Sequence, residues 1–229
     1  MKTDSAIYLV PLTPVFNKEA VIPFELMDKE HSCFLQSSLY MNNVEVIDKL
    51  KDQYKYFFCL SRDDQQNIPS LLLSSALNVS ILDTGNTSTI FKHLNEKYFS
   101  RFSKNIVIFS RAIGFNASDI QKVFDLLAVE DDTVVIGRAN NDSISFLGFT
   151  KYHPEIFSNI DKPYDMFLPG ICKQNYFLSV LEKSMFITKW DDFRNLYTEL
   201  SKKESLSYCS QKMHEQFTHL FIEYKEQIK

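Results

Sequence analysis

The sequence predicts an α/β domain built on one sheet, and three observations carry that expectation. Short apolar runs rich in β-branched and aromatic residues recur, segments with helical spacing lie between most of them, and residues 105–127 hold a strand, a loop and a helix in succession. The strand candidates are Ala6 to Val10, Tyr56 to Leu60, Val79 to Leu82, Ile106 to Phe109, Thr133 to Ile136 and Ile144 to Phe149. The first helical segment, His31 to Lys51, puts Phe34, Leu35, Leu39, Val46 and Leu50 broadly on one side. Thr87 to Phe99 does the same with Ile90, Phe91, Leu94 and Phe99. In NIVIFSRAIGFNASDIQKVFDLL four apolar residues make a buried strand and Gly114 lies in the loop after it. Asn116 or Ser118 can then cap a helix carrying Ile120, Val123, Phe124 and Leu127.

After Phe149 the pattern changes. Pro154 can open a short helix, IDKPYDMFLPG is turn-like, Cys172 to Lys183 has helical spacing and Met185 to Thr188 fits a short strand. Trp190 to Leu200 and Glu204 to Ile228 read as two closing helices. A chain of 229 residues with 45% hydrophobic content suits one domain with a sizeable core, so residues 1–229 are expected to form a single unit.

Composition removes several function classes. A formal charge of -4, with Lys and Arg scattered among Asp and Glu, gives no continuous positive field, so nucleic-acid binding is not expected. The opening MKTDSAIYLVPLTPVF has too short an apolar segment for a signal peptide, and no run approaches the roughly 18 apolar residues of a membrane span. A cytoplasmic protein without membrane contact is the expectation. Cys33, Cys59, Cys172 and Cys209 lie far apart with no C-x-x-C pair, which points to reduced, packed thiols. No G-x-G-x-x-G, G-x-x-x-x-G-K or G-x-S-x-G occurs, so neither common phosphate cradle nor a nucleophile elbow is present. His214 and His219 are five residues apart, about 500° of helical rotation, and do not share a face for zinc. Asp191 and Asp192, beside Trp190 at a helix start, fit a capping role better than cation binding.

GRANNDSISFLG and the FTKYHPEIFSNI that follows it resemble a G-P-A-x-D-G-G-Y-Y-L-x-G run and an H-P-x-x-F segment. These belong to a bacterial family of glycosyltransferase-A-like proteins known as radical-SAM/selenodomain-associated transferases, related to molybdopterin guanylyltransferases. Gly137, Ala139, Leu147, Gly148, His153, Pro154 and Phe157 keep their places. VIFSRAIGFNASDI is similar to the family's strand and G-S-D-x-P-G-L loop, retaining Ser110 and Gly114; LVPLTPVFNKEAVIP stands where it has P-V-x-G-x-x-K-T-R-L, and FITKWDDF where it has D-V-D-T-P-E-D-L. The resemblance implies a three-layer sandwich with a mainly parallel mixed sheet, a nucleotide-binding-type core over 1–150 and a helical closing region over 151–229. It also implies ancestry in nucleotide-sugar or nucleotidyl transfer.

The reactive positions of that family are replaced. Arg111 stands for the strand-end aspartate, Asn140, Asn141, Asp142 and Ser143 for the acidic and glycine positions of the later loop, and Phe186 and Thr188 for the two leading aspartates of the last segment. Such folds hold a divalent cation through carboxylate oxygens, so magnesium or manganese is expected only if the ancestral activity survives. No catalytic residue and no metal ligand is assigned. The candidate ligand-binding residues are Ser110, Arg111, Gly114, Arg138, Asn140, Asn141 and Asp142. Arg111 and Arg138 fall just after two strands, on the edge where open α/β sheets collect ligands, and a guanidinium there can grip a phosphate or carboxylate. The alternative is two surface arginines in ordinary ion pairs. Asn140 to Asp142 could contact a sugar or base, or simply form the hairpin turn that these residue types favour. The expected partner is a nucleotide or nucleotide sugar, and the expected state a monomer or small homo-oligomer. Two readings follow: a divergent transferase-like protein that has lost its metal-dependent site and acts in binding or interaction, or a working transferase with an altered, metal-independent anion site.

Overall fold

A computed structural model of the chain describes residues 4–74, 78–172 and 176–228. Among them lie strands β1 (Ser5–Val10), β2 (Lys55–Ser61), β3 (Asn78–Leu82), β4 (Lys104–Phe109), β5 (Ala112–Ile113), β6 (Thr133–Ala139), β7 (Ile144–Phe149) and β8 (Phe177–Phe186). The helices are α1 (Lys29–Asp48), α2 (Ser70–Ser74), α3 (Thr87–Lys97), α4 (Ala117–Leu126), α5 (Pro154–Phe157), α6 (Tyr164–Ile171), α7 (Trp190–Leu200), α8 (Gln211–Glu223) and α9 (Lys225–Ile228). No helix of the described residues is long and apolar enough to cross a membrane.

The strands form one mixed sheet in the order β3-β2-β1-β4-β7-β6-β8-β5. Pairings β3-β2, β2-β1, β1-β4 and β6-β8 are parallel, while β7 runs antiparallel to both β4 and β6, and β5 antiparallel to β8. The mainly parallel mixed sheet is therefore as the sequence implied. Central β1 and β4 are buried nearly end to end, as expected for strands covered on both faces.

Several helix starts have a local cause. Asp28 caps α1 by accepting the His31 amide, and Asn116 and Asp119 form a reciprocal capping box on α4. Pro154 occupies the first turn of α5, where its missing N–H costs nothing. Helix α1 packs between two cores. Tyr40, Val44 and Ile47 join the main core over the sheet, whereas Leu35 and Leu39 join a second core with Phe193 of α7 and Phe217 of α8. Burying each such large side chain is worth about 1.5–3 kcal/mol, which anchors the carboxyl-terminal helices to the sheet layer.

Three segments differ from the sequence expectation, and the first is Glu204 to Ile228, expected as one helix, which divides into a short helical turn at Lys203–Ser207, α8 and α9. The stretch from Cys172 to Lys183, spaced like a helix, contributes β8 from Phe177 onward, parallel to β6 and running through Phe186; residues 173–175 lie outside the described residues. Region 151–229 thus adds a strand as well as helices. IDKPYDMFLPG, expected to be a turn, holds α6, with Pro169 inside its last turn. Pro163 opens that helix, and burial of Tyr164, Phe167 and Ile171 on one face outweighs the low helix propensity of Pro169 and Gly170.

Candidate functional site

The carboxyl ends of β1, β4, β6 and β8 meet at one edge of the sheet. A cleft of about 350 Å³ opens there, lined by Thr13 after β1, Ser110 and Arg111 after β4, Asn141 in the β6–β7 hairpin and Thr188 after β8. That volume lies near the lower end of ligand sites, about 300–1,000 Å³. The loop between α5 and α6 closes the remaining side with Ile160, Asp161 and Lys162.

Arg111 is half-buried in the cleft wall. Its Nη2 donates to Thr13 Oγ1 and to Gln36 Oε1, both at 3.2 Å, and among the described residues it has no carboxylate partner. Burial pulls its pKa below the usual guanidinium value, yet a guanidinium stays charged at neutral pH. The backbone beside it is held from below. Buried Asn43 of α1 donates through Nδ2 to Ser110 O (3.2 Å), Ala112 O (2.9 Å) and Leu39 O (3.1 Å), clamping the turn that presents Arg111.

Arg138 has the opposite surroundings. It pairs with Asp142 at 2.6 Å and Glu182 at 3.1 Å, and its guanidinium lies 4.6 Å from the Tyr164 ring centroid. Hydrogen bonding to Asp142, then to Glu182, raises its pKa. Arg138, Asn140 and Gly114 border a separate cavity of about 420 Å³, reached also by Glu199 and Tyr208, and Asp142 touches both spaces. The seven sequence candidates are therefore divided: Ser110, Arg111 and Asn141 face the first cleft, Gly114, Arg138 and Asn140 the second, and Asp142 lies between.

The hairpin tip shows turn chemistry. Asp142 has φ 61°, Asn141 Oδ1 accepts the Ser143 amide at 3.2 Å, and the Ala139 amide donates to Ser143 O. The Asn141 amide group is turned towards α7, donating to Phe186 O at 2.7 Å and Asp192 Oδ2 at 2.9 Å. Asp192 also accepts from the amides of Thr188 and Lys189, so it caps α7 and ties the hairpin to that helix.

Gly137 and Gly148, which carry much of the family resemblance, serve packing. A Cβ at Gly137 would enter the Phe146 ring, and one at Gly148 would lie 2.7 Å from Val123 Cγ1.

The residues at this edge do not fit a divalent cation. Asp142 is engaged by Arg138, Asp161 accepts from Thr87 Oγ1 at 2.8 and 2.9 Å, and the remaining polar lining is amide, hydroxyl and cation. Among the described residues no three His, Cys, Asp or Glu side chains gather as a metal site. What the arrangement offers is one fixed positive charge with hydroxyl and amide neighbours, suited to an anion.

Sequence reasoning missed Thr13, Gln36, Asn43 and Lys162. A signal existed for two of them: Gln36 and Asn43 are seven apart, two turns of the same buried helix face that Leu39 occupies.

The architecture is that of nucleotide-diphospho-sugar transferases. Among solved structures, a protein from Desulfovibrio desulfuricans G20 assigned as a nucleotide-diphospho-sugar transferase superposes with TM-score 0.73 at 18% identity, covering 99% of this chain and 97% of its own. The 4-diphosphocytidyl-2C-methyl-D-erythritol synthase of Anaerococcus prevotii DSM 20548 gives 0.53 at 12% identity, over 85% and 97% of the two chains. A cytidylyltransferase from Leptospira borgpetersenii serovar Hardjo-bovis gives 0.50 at 12%, over 100% and 97%. No protein-family model matches the sequence, and no curated protein matches it either. At these identities the likeness establishes the fold.

Proposed function

We propose that the strand-end cleft binds a phosphate-bearing nucleotide ligand through Arg111, in a divergent relative of the radical-SAM/selenodomain-associated and molybdopterin guanylyltransferase-like proteins that no longer performs metal-dependent transfer. One observation carries this reading: a half-buried guanidinium faces the cleft and, among the described residues, has only neutral partners, Thr13 and Gln36. A charge removed from bulk water without a counter-ion is costly, and a ligand anion supplies the missing partner. Engagement of the two lining carboxylates, Asp142 by Arg138 and Asp161 by Thr87, supports binding without metal-assisted chemistry. Thr13, Ser110 and Lys162 would add hydrogen bonds around the phosphate, leaving the apolar wall of Ile144, Ile160 and Phe186 for a base or sugar face.

The test is a thermal-shift panel of nucleoside mono-, di- and triphosphates and nucleotide sugars, each with EDTA, magnesium or manganese. Ligand binding to the folded state raises Tm by linkage. A shift in EDTA that Arg111→Ala abolishes supports the reading. A shift that requires metal overturns it in favour of a working transferase, and silence across the panel at millimolar ligand overturns nucleotide binding altogether.

A further inference from the structure

The amino-terminal loop carries a second anion site that the protein fills itself. Two residues beyond Thr13 the backbone amides of Val15, Phe16 and Asn17 converge on one carboxylate, that of Asp64, at 3.1, 2.7 and 2.9 Å to Oδ1, with Val15 also 3.0 Å from Oδ2. Successive amides turned inward form a concave nest that binds anions such as phosphate. Asp64 reaches it from the single helical turn after β2, is fully buried and, among the described residues, has no ion pair. An acid in that position is held by backbone dipoles alone.

Arg111, after β4, touches the loop that carries the nest, after β1, through Thr13, two residues before the first nest amide. Thr13 hydrogen-bonds Arg111, and the occupied amides follow immediately in the chain. A ligand with consecutive phosphates, its first on Arg111, would run along this loop and reach for those amides. It would find their protons taken and a negative charge in their place.

We propose that Asp64 is a built-in anion that closes the residue 15–17 amides to external phosphate, so that the cleft accepts a ligand with one anionic group beside Arg111. The ligand class is then a nucleoside monophosphate or sugar phosphate rather than a di- or triphosphate. This rests on the cleft reading above for Arg111, whereas closure of the nest stands on Asp64 alone. The cleft volume of about 350 Å³ agrees with a small ligand.

Orthophosphate and pyrophosphate, titrated calorimetrically into the full chain in EDTA, separate the two claims. For the natural sequence the expected affinities lie within about threefold of each other, and Arg111→Ala weakens both. Asp64→Gly frees three amides and should favour pyrophosphate over phosphate by about tenfold or more, the scale of a charge-assisted hydrogen-bond set. Asp64→Asn, which removes the charge but keeps an acceptor, should give a smaller gain and serves if the glycine variant does not fold. A tenfold pyrophosphate preference in the natural protein overturns the proposal, as does a folded Asp64 variant with no gain. If Arg111→Ala changes nothing while Asp64→Gly gains pyrophosphate, the cleft reading falls and the Asp64 assignment stands.

Discussion

Arg111 and Arg138 occupy similar places, one residue inside or just beyond a strand's carboxyl end, yet their charges are answered differently. Arg138 meets two carboxylates and an aromatic face contributed by its own hairpin, β8 and α6. Arg111 meets a hydroxyl and an amide oxygen. Both carbonyls flanking Arg111 are also fixed by a buried asparagine. A side chain whose position is this well determined and whose charge is left unpaired is arranged for something that arrives from outside, because folding stability alone gains nothing from it. Arg138 instead fastens the hairpin that separates the two cavities.

The largest effect should come from removing the support beneath Arg111. Asn43→Ala deletes three hydrogen bonds and leaves buried carbonyls short of a donor. The expected loss is about 2–3 kcal/mol of unfolding free energy, since each unsatisfied buried group costs about 1–3 kcal/mol. Urea denaturation measures it, and an unchanged midpoint would mean that the Arg111 turn holds itself. Next comes the charge. Arg111→Met should weaken phosphate or nucleotide binding about ten- to hundredfold, the range for a hydrogen-bonded charge, yet leave the ligand-free Tm equal or higher. Arg138→Met should do the reverse, lowering Tm while changing ligand affinity by less than about twofold, the modest return of partly exposed ion pairs. Equal behaviour of the two variants would dissolve the distinction between them.

That distinction was half legible in the sequence. Six strands announced themselves because runs such as NIVIF and TVVIG are β-branched and buried on both faces, and Trp190 to Leu200 was read to its ends. Strand β8 did so only at Met185 and Phe186, since FLSVLEKSMF satisfies helical and extended spacing alike and its parallel partner β6 lies more than forty residues earlier. Arg111 lies beyond β4, whereas Arg138, expected just after a strand, lies inside β6, one residue from its end. What separates them is set by partners distant along the chain: Gln36 lies 75 residues from Arg111, and Asp64 lies 48 from Phe16. Local pattern carries no information about such pairs, whereas Arg138 and Asp142, four apart across a turn, could have been paired on sight.

The smallest effect tests the same physics on a group that has a choice. His214 is partly buried on α8, its Nε2 3.0 Å from Ser205 Oγ, and burial lowers its pKa from the ordinary value near 6.5. With the folded pKa below the unfolded one, the unfolded chain binds the proton more readily. Stability from the neutral imidazole is therefore complete above the unfolded pKa and is lost as pH falls through the folded one. Tm should drop slightly between about pH 7 and about pH 5, and His214→Gln should remove that part of the slope; a slope untouched by the substitution would place the titration elsewhere. The histidine answers desolvation by releasing its proton. Arg111 has no such option near neutral pH, so it retains its charge in the cleft wall until an anion binds.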